Sequence, residues 1–135
     1  MTAKAILLVE DSMADAYLIQ RAVNDCGPDF QLWTIPDGPE ALAFLRKTLP
    51  VPHLPTPVLI LLDLRLPTMS GIQLLSEIRQ LPAYEVTPIV ILSRLDKERE
   101  ESTCLQFGAS AYVQKATNFY IFFNSIKALV GHWLN

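Results

Sequence analysis

The sequence predicts an α/β fold, a doubly wound parallel sheet of five strands, on three observations. Short apolar runs alternate five times with segments of helical period along 135 residues. Most of the runs are nearly continuous, as strands buried on both faces are. The length suits one such sheet around one core and falls far short of the eight units a barrel needs. Right-handed crossovers then place helices on both faces.

AILLV (5–9) is the first strand. The segment from Met13 to about Cys26 carries Ala16, Ile19, Gln20 and Val23 at helical spacing, and Gly27-Pro28 stops it. FQLWTI (30–35) reads as the second strand, Phe30, Leu32 and Thr34 alternating against Gln31, Trp33 and Ile35. Asp37-Gly38 turns the chain, and Pro39 suits the first turn of a helix over PEALAFLRKTL. The four prolines of LPVPHLPTP (49–57) make a stiff surface connection into VLILL (58–62), the third strand. A helix follows from Ser70 to about Leu81, with Ile72, Leu75, Ile78 and Arg79 in register. PIVIL (88–92) is the fourth strand, and a charged helix from Asp96 to Phe107 ends at Gly108. SAYVQ (110–114) is a short fifth strand. In the last helix, Thr117 to Trp133, Phe119, Phe122, Phe123, Ile126, Val130 and Trp133 fit a core stripe, leaving Tyr120, Ile121 and Leu134 over.

Composition narrows the class. Half the residues are hydrophobic and 19% are charged, as in globular chains. A net charge of −3 without a basic stripe gives no attraction to nucleic acid or anionic membrane. No segment approaches a membrane span, and MTAKAILLVED is not a signal peptide. Cys26 and Cys104 lack metal-ligand spacing and read as free thiols. The expectation is a soluble, cytoplasmic chain that binds neither nucleic acid nor membrane.

Open parallel sheets bind ligands at the carboxyl ends of their strands. There stand Glu10 and Asp11 after the first strand, Asp63 after the third, Ser93 after the fourth and Lys115 after the fifth. One acid after a strand is ordinarily a helix cap, but five such groups on one edge form a constellation. Three converging carboxylates repel unless a cation compensates. With no His or Cys at these ends, the donors are hard oxygens, which select Mg²⁺, or Mn²⁺, over zinc. Lys115 adds a second positive charge and Ser93 a hydroxyl. The set suits a tetrahedral dianion held on a carboxylate. His53 and His132 neighbour no other ligand type and read as surface residues.

VEDS (9–12), LLDLRLPTMSG (61–71), VILS (90–93) and FGASAYVQK (107–115) resemble the receiver domain of bacterial response regulators over essentially the whole chain. The resemblance implies a flavodoxin-like (βα)5 fold with strand order 2-1-3-4-5, and one receiver domain over residues 1–135 without an output domain. It implies that Asp63 is the phosphoacceptor, attacking the phosphohistidine of a sensor histidine kinase. Asp11 matches the direct Mg²⁺ ligand, Glu10 the acid that holds metal-bound water, and the Arg65 backbone carbonyl the third protein ligand beside Asp63. Ser93 matches the hydroxyl residue that moves to the phosphoryl oxygen, Lys115 the ion-pairing lysine, and Tyr112 the aromatic switch residue. Such a chain is a signalling protein with slow self-dephosphorylation, not an enzyme.

The chain departs from the pattern twice. Ala116 stands where the family has a cis proline, so a trans bond is expected after Lys115. Arg94 stands where the family has a small residue; with Arg65 it is expected to flank the site and lengthen the phosphoryl lifetime. The EDS–MAD start, the Pro-rich insertion and the FF…IK…HWL tail resemble stand-alone regulators of phytochrome-type histidine kinases. The apolar surplus of the last helix points to a protein partner or a homodimer through that helix and its adjoining face.

Three other functions compete. A phosphatase of the haloacid dehalogenase type needs a second acid two residues after its nucleophile, where this chain has Arg65. A flavin module needs a hydroxyl- and glycine-rich phosphate loop, where this chain has VEDSMAD. A receiver that no longer accepts phosphate and signals by constitutive contact is opposed by the complete acid set and kept open by Arg94 and Ala116.

Overall fold

In the computed structural model, which describes residues 3–46 and 55–134, one parallel sheet is built from β1 (Lys4–Val9), β2 (Phe30–Ile35), β3 (Leu59–Asp63), β4 (Ile89–Ser93) and β5 (Ala111–Gln114). The strand order is β2-β1-β3-β4-β5. Helices α1 (Met13–Asp25), α2 (Gly38–Leu45), α3 (Gly71–Arg79), α4 (Lys97–Gln106) and α5 (Phe119–Leu134) alternate with the strands. His53, residues 47–49 of the helix expected over PEALAFLRKTL, and the Pro-rich stretch as far as Leu54 lie outside the described residues.

Every residue of β3 and β4 is buried, because each strand has a neighbour on both sides and helices on both faces. Alternate side chains divide between two cores. Leu7, Ile60, Leu62 and Ile91 meet α2 and α3 through Leu42, Leu74 and Ile78. Ile6, Leu61, Val90 and Leu92 meet α1 and α5 through Ile19, Val23, Phe122 and Ile126. β2 is an edge strand, and its residues are at most half-buried.

The helices begin where side-chain caps allow. Ser12, Asp37, Ser70 and Asp96 each accept a first-turn N–H at the starts of α1, α2, α3 and α4. α3 stops at Arg79, two residues before the expected end, and a 3-10 turn over Pro82–Tyr84 follows. Arg79 accounts for that junction. Its Nε donates to Gly108 O at 2.7 Å, its Nη1 to Tyr84 O at 2.8 Å and Thr87 O at 2.6 Å, and its Nη2 to Ser110 Oγ at 3.2 Å. One planar fork therefore ties the end of α3 to the loops that feed β4 and β5. Arg79→Ala is expected to lower the unfolding free energy by about 2–4 kcal/mol, with only partial recovery in Arg79→Lys, because an ammonium cannot span these acceptors. Urea titration of the three proteins measures it.

α5 corrects one expectation. Phe122, Ile126, Leu129 and Val130 are its buried residues, and Leu134, left over in the sequence, packs half-buried on the core. Phe119 lies on the stripe by angle but is 50% exposed. As the first residue of the helix it runs past the core, stacking on Phe123 at 6.0 Å and edge-on to Tyr120 at 5.3 Å.

Candidate functional site

Strand register brings the polar residues together. Val9 pairs with Leu62, Asp63 with Leu92, and Ser93 with Gln114. Glu10, Asp63, Ser93 and Lys115 therefore emerge within about one residue of one another along one edge, and Lys115 N–H donates to Ser93 O at 2.7 Å. Glu10, Asp11, Asp15, Asp63, Arg65, Ser93, Arg94 and Lys115 line one pocket of about 390 Å³.

Lys115 is its centre. Only 3% of the side chain is exposed. Nζ donates to Glu10 Oε1 at 2.6 Å, Asp15 Oδ2 at 2.9 Å and Asp63 Oδ2 at 3.0 Å. Three donors thus meet three carboxylates, and one positive charge faces three acids. Burial alone would lower the lysine pKa, but its bonds to Glu10 and Asp15 outweigh that and the pKa is raised. The acids carry the imbalance. Burial, and then the contact with Asp63, push Glu10 up to about 7 against the opposing pull of Lys115.

The remaining predicted residues surround it at different depths. Asp11 is exposed, and one of its carboxylate oxygens lies within 4.8 Å of oxygens from Glu10 and Asp63. Three hard oxygen donors around a charge deficit are a donor set for a divalent cation such as Mg²⁺ or Mn²⁺. Asp63 Oδ1 accepts the Arg65 N–H at 2.9 Å, while the Arg65 side chain is exposed. Ser93 is buried, its Oγ accepting Leu95 N–H at 3.1 Å. Tyr112 is buried with its ring in the core, and its hydroxyl donates to Leu95 O at 2.7 Å. The Lys115–Ala116 bond is trans, like every described peptide bond.

The loop after β3 holds Asp63 in place. Gly71 N–H returns to Leu64 O at 2.9 Å, so the chain closes on itself before entering α3. A Cβ on Gly71 would lie 2.5 Å from Leu64 Cα and 2.6 Å from Asp63 O. Only glycine fits that approach.

Sequence reasoning missed Asp15. It looks like an ordinary first-turn acid of α1, and its N–H does donate to Ser12 Oγ at 3.2 Å. Its carboxylate is nonetheless buried and joins two cations, Lys115 Nζ at 2.9 Å and Arg94 Nη2 at 2.8 Å. The signal was spacing. Asp15 stands four residues before Ile19 and eight before Val23, on the stripe that α1 buries.

The sequence and structure were compared with known proteins. A family model described as the response regulator receiver domain matches residues 6–126. Response regulator Rcp1 of Synechocystis sp. is 35% identical over 131 residues, covering 97% of this chain and 89% of that protein. The crystal structure of the phosphorylated cyanobacterial phytochrome response regulator RcpA superposes with a TM-score of 0.92 at 34% identity, covering 99% of this chain and 96% of that one. The Mn(2+)-bound form of Rcp1 gives 0.89 at 35% identity, covering 98% and 95%.

Proposed function

Because the chain belongs to the response regulator receiver domain family, we propose that it is a stand-alone phosphoacceptor of two-component signalling in which Asp63 takes a phosphoryl group from a sensor histidine kinase. The observation that carries this reading is the buried Lys115 ammonium 3.0 Å from Asp63 Oδ2, in a pocket open to solvent at the carboxyl edge of the sheet.

A carboxylate oxygen of Asp63 forms the new bond to phosphorus. The phosphorus–nitrogen bond of phosphohistidine breaks, and its electron pair leaves with the imidazole, which takes up a proton. Lys115 is already beside the attacking carboxylate and meets the negative charge the transfer brings. The Ser93 hydroxyl is the donor for a phosphoryl oxygen, and Tyr112, bonded to the Leu95 carbonyl next to it, senses its displacement. Glu10, Asp11, Asp63 and the Arg65 carbonyl would hold Mg²⁺, or Mn²⁺, which when bound neutralises charge on the transferred group.

Similarity to Rcp1 and to the phytochrome response regulator RcpA supports a phytochrome-type kinase as the donor. Tyr120 and Ile121, 72% and 61% exposed at the start of α5, support a homodimer or partner contact through that helix and its adjoining face. The phosphorylated state then acts by changing protein contacts.

Intact mass after incubation with acetyl phosphate and Mg²⁺ tests the reading. The wild type is expected to gain one phosphoryl group and Asp63→Asn none. Equal gain in both would reject Asp63. No gain in the wild type from acetyl phosphate or from a histidine kinase would favour the alternative, a receiver-fold module that binds its partner constitutively.

A further inference from the structure

We propose that Asp15 is a positioning residue that holds Arg94 against the pocket and thereby lengthens the life of the phosphorylated state. The inference rests on the reading of Asp63 as phosphoacceptor.

The Arg94 side chain is 57% exposed. An arginine at that exposure ordinarily spends its time in water and contributes little. Here it is bonded at 2.8 Å to a carboxylate that is itself buried, with a side chain 7% exposed. Asp15 divides its oxygens, Oδ2 to Lys115 and Oδ1 to Arg94. A buried carboxylate that loses a cationic partner is left undercompensated, so Asp15 retains both. The first turn of α1 fixes where that carboxylate sits, and the carboxylate fixes the guanidinium. Arg65 lines the same pocket but has no ion pair among the described residues, so nothing comparable restrains its side chain.

Hydrolysis of the acyl phosphate sets the consequence. A water oxygen forms a new bond to phosphorus. The bond from phosphorus to the Asp63 oxygen breaks, its electron pair returns to the carboxylate, the water proton passes to solvent and phosphate leaves. The water must enter through the open side of the pocket. A guanidinium held there takes up that space and binds phosphoryl oxygens with its remaining N–H groups. Both effects disfavour attack. Arg94 acts on the phosphoryl group, and Asp15 acts through Arg94.

The test is a double-variant cycle on acyl phosphate decay. Wild type, Asp15→Asn, Arg94→Ala and the double variant are phosphorylated with acetyl phosphate, freed of donor, and followed by intact mass, with thermal unfolding measured alongside. Each single variant is expected to shorten the half-life about fivefold, the scale of one partly exposed charge contact. The double variant is expected to match Arg94→Ala alone, not the roughly twenty-five-fold loss of two independent effects. A purely structural Asp15 would shift unfolding without this loss of additivity. Multiplying effects, or an unchanged half-life in Arg94→Ala, would overturn the proposal. Should Asp15→Asn fail to fold, Asp15→Glu takes its place in the cycle, its displaced carboxylate expected to shorten the half-life only while Arg94 is present. A wild type that takes no phosphate defeats the phosphoacceptor reading itself; a phosphorylated wild type with unchanged variants defeats only the role of Asp15 and Arg94.

Discussion

Lys115→Met, unfolded with urea at pH 8 in the presence of a chelator, is expected to be less stable than the wild type by about 3–5 kcal/mol. The substitution keeps the buried stem and removes the ammonium. Glu10, Asp15 and Asp63 then face one another without the charge that joins them. Arg94 still reaches Asp15, but the nearest compensation for Glu10 and Asp63 is gone. The deficit is expected to shrink at pH 5.5. In the wild type, burial and Asp63 already raise Glu10 from 4.5 to about 7. The folded state therefore binds this proton more tightly than the unfolded chain. The stabilisation Glu10 draws from protonation is full below about 4.5 and lost as pH rises through 7. Without Lys115 its pKa rises further, and a protonated carboxyl needs no counter-charge. A loss under about 1 kcal/mol, or one equal at both pH values, would show that the ammonium does not hold the acids together.

Gly71→Ala is expected to cost about 3 kcal/mol and to slow phosphorylation by acetyl phosphate at least tenfold. The new methyl group would meet Leu64 Cα at 2.5 Å and Asp63 O at 2.6 Å. Both are backbone atoms, so no side chain can swing aside. The 64–71 loop must open, breaking the Gly71 N–H bond to Leu64 O. That movement carries Asp63 away from Lys115, and displacements of about 1 Å at a reacting group cost rate steeply. Gly27→Ala is the control. Unlike Gly71, Gly27 adopts a positive φ, 114°, and a Cβ there meets nothing within 4 Å. It is expected to cost about 1 kcal/mol of backbone strain and to leave phosphorylation unchanged. Equal rates in Gly71→Ala and wild type would mean the loop does not position the acceptor.

These two residues also mark how far the sequence could be read. The fold was legible because β3 and β4 are buried on both faces and therefore read as unbroken apolar runs. Glu10, Asp11, Asp63, Ser93 and Lys115 could be grouped because a parallel sheet puts every strand's carboxyl end on one edge. Asp15 could not, since its role depends on Lys115 and Arg94, which lie 100 and 79 residues away along the chain. Arg79 fell on the α3 register, but the carbonyls it gathers belong to loops with no pattern of their own. Phe119 obeyed the helical period and still lies half in solvent, because period gives direction and not how far the core extends.

β5 has four residues and a neighbour on one side only. A short edge strand is the cheapest part of a sheet to displace. Yet it carries Tyr112 within it and Lys115 immediately after it, and three residues beyond Lys115 lies Asn118, whose side chain accepts the Ile121 N–H at the start of α5. The pocket and the exposed aromatic end of α5 are thus joined by one short length of chain. On the proposed function, charge arriving on Asp63 would pull on Lys115, from which the chain runs directly into α5. The distance the signal would then travel is the width of the last strand.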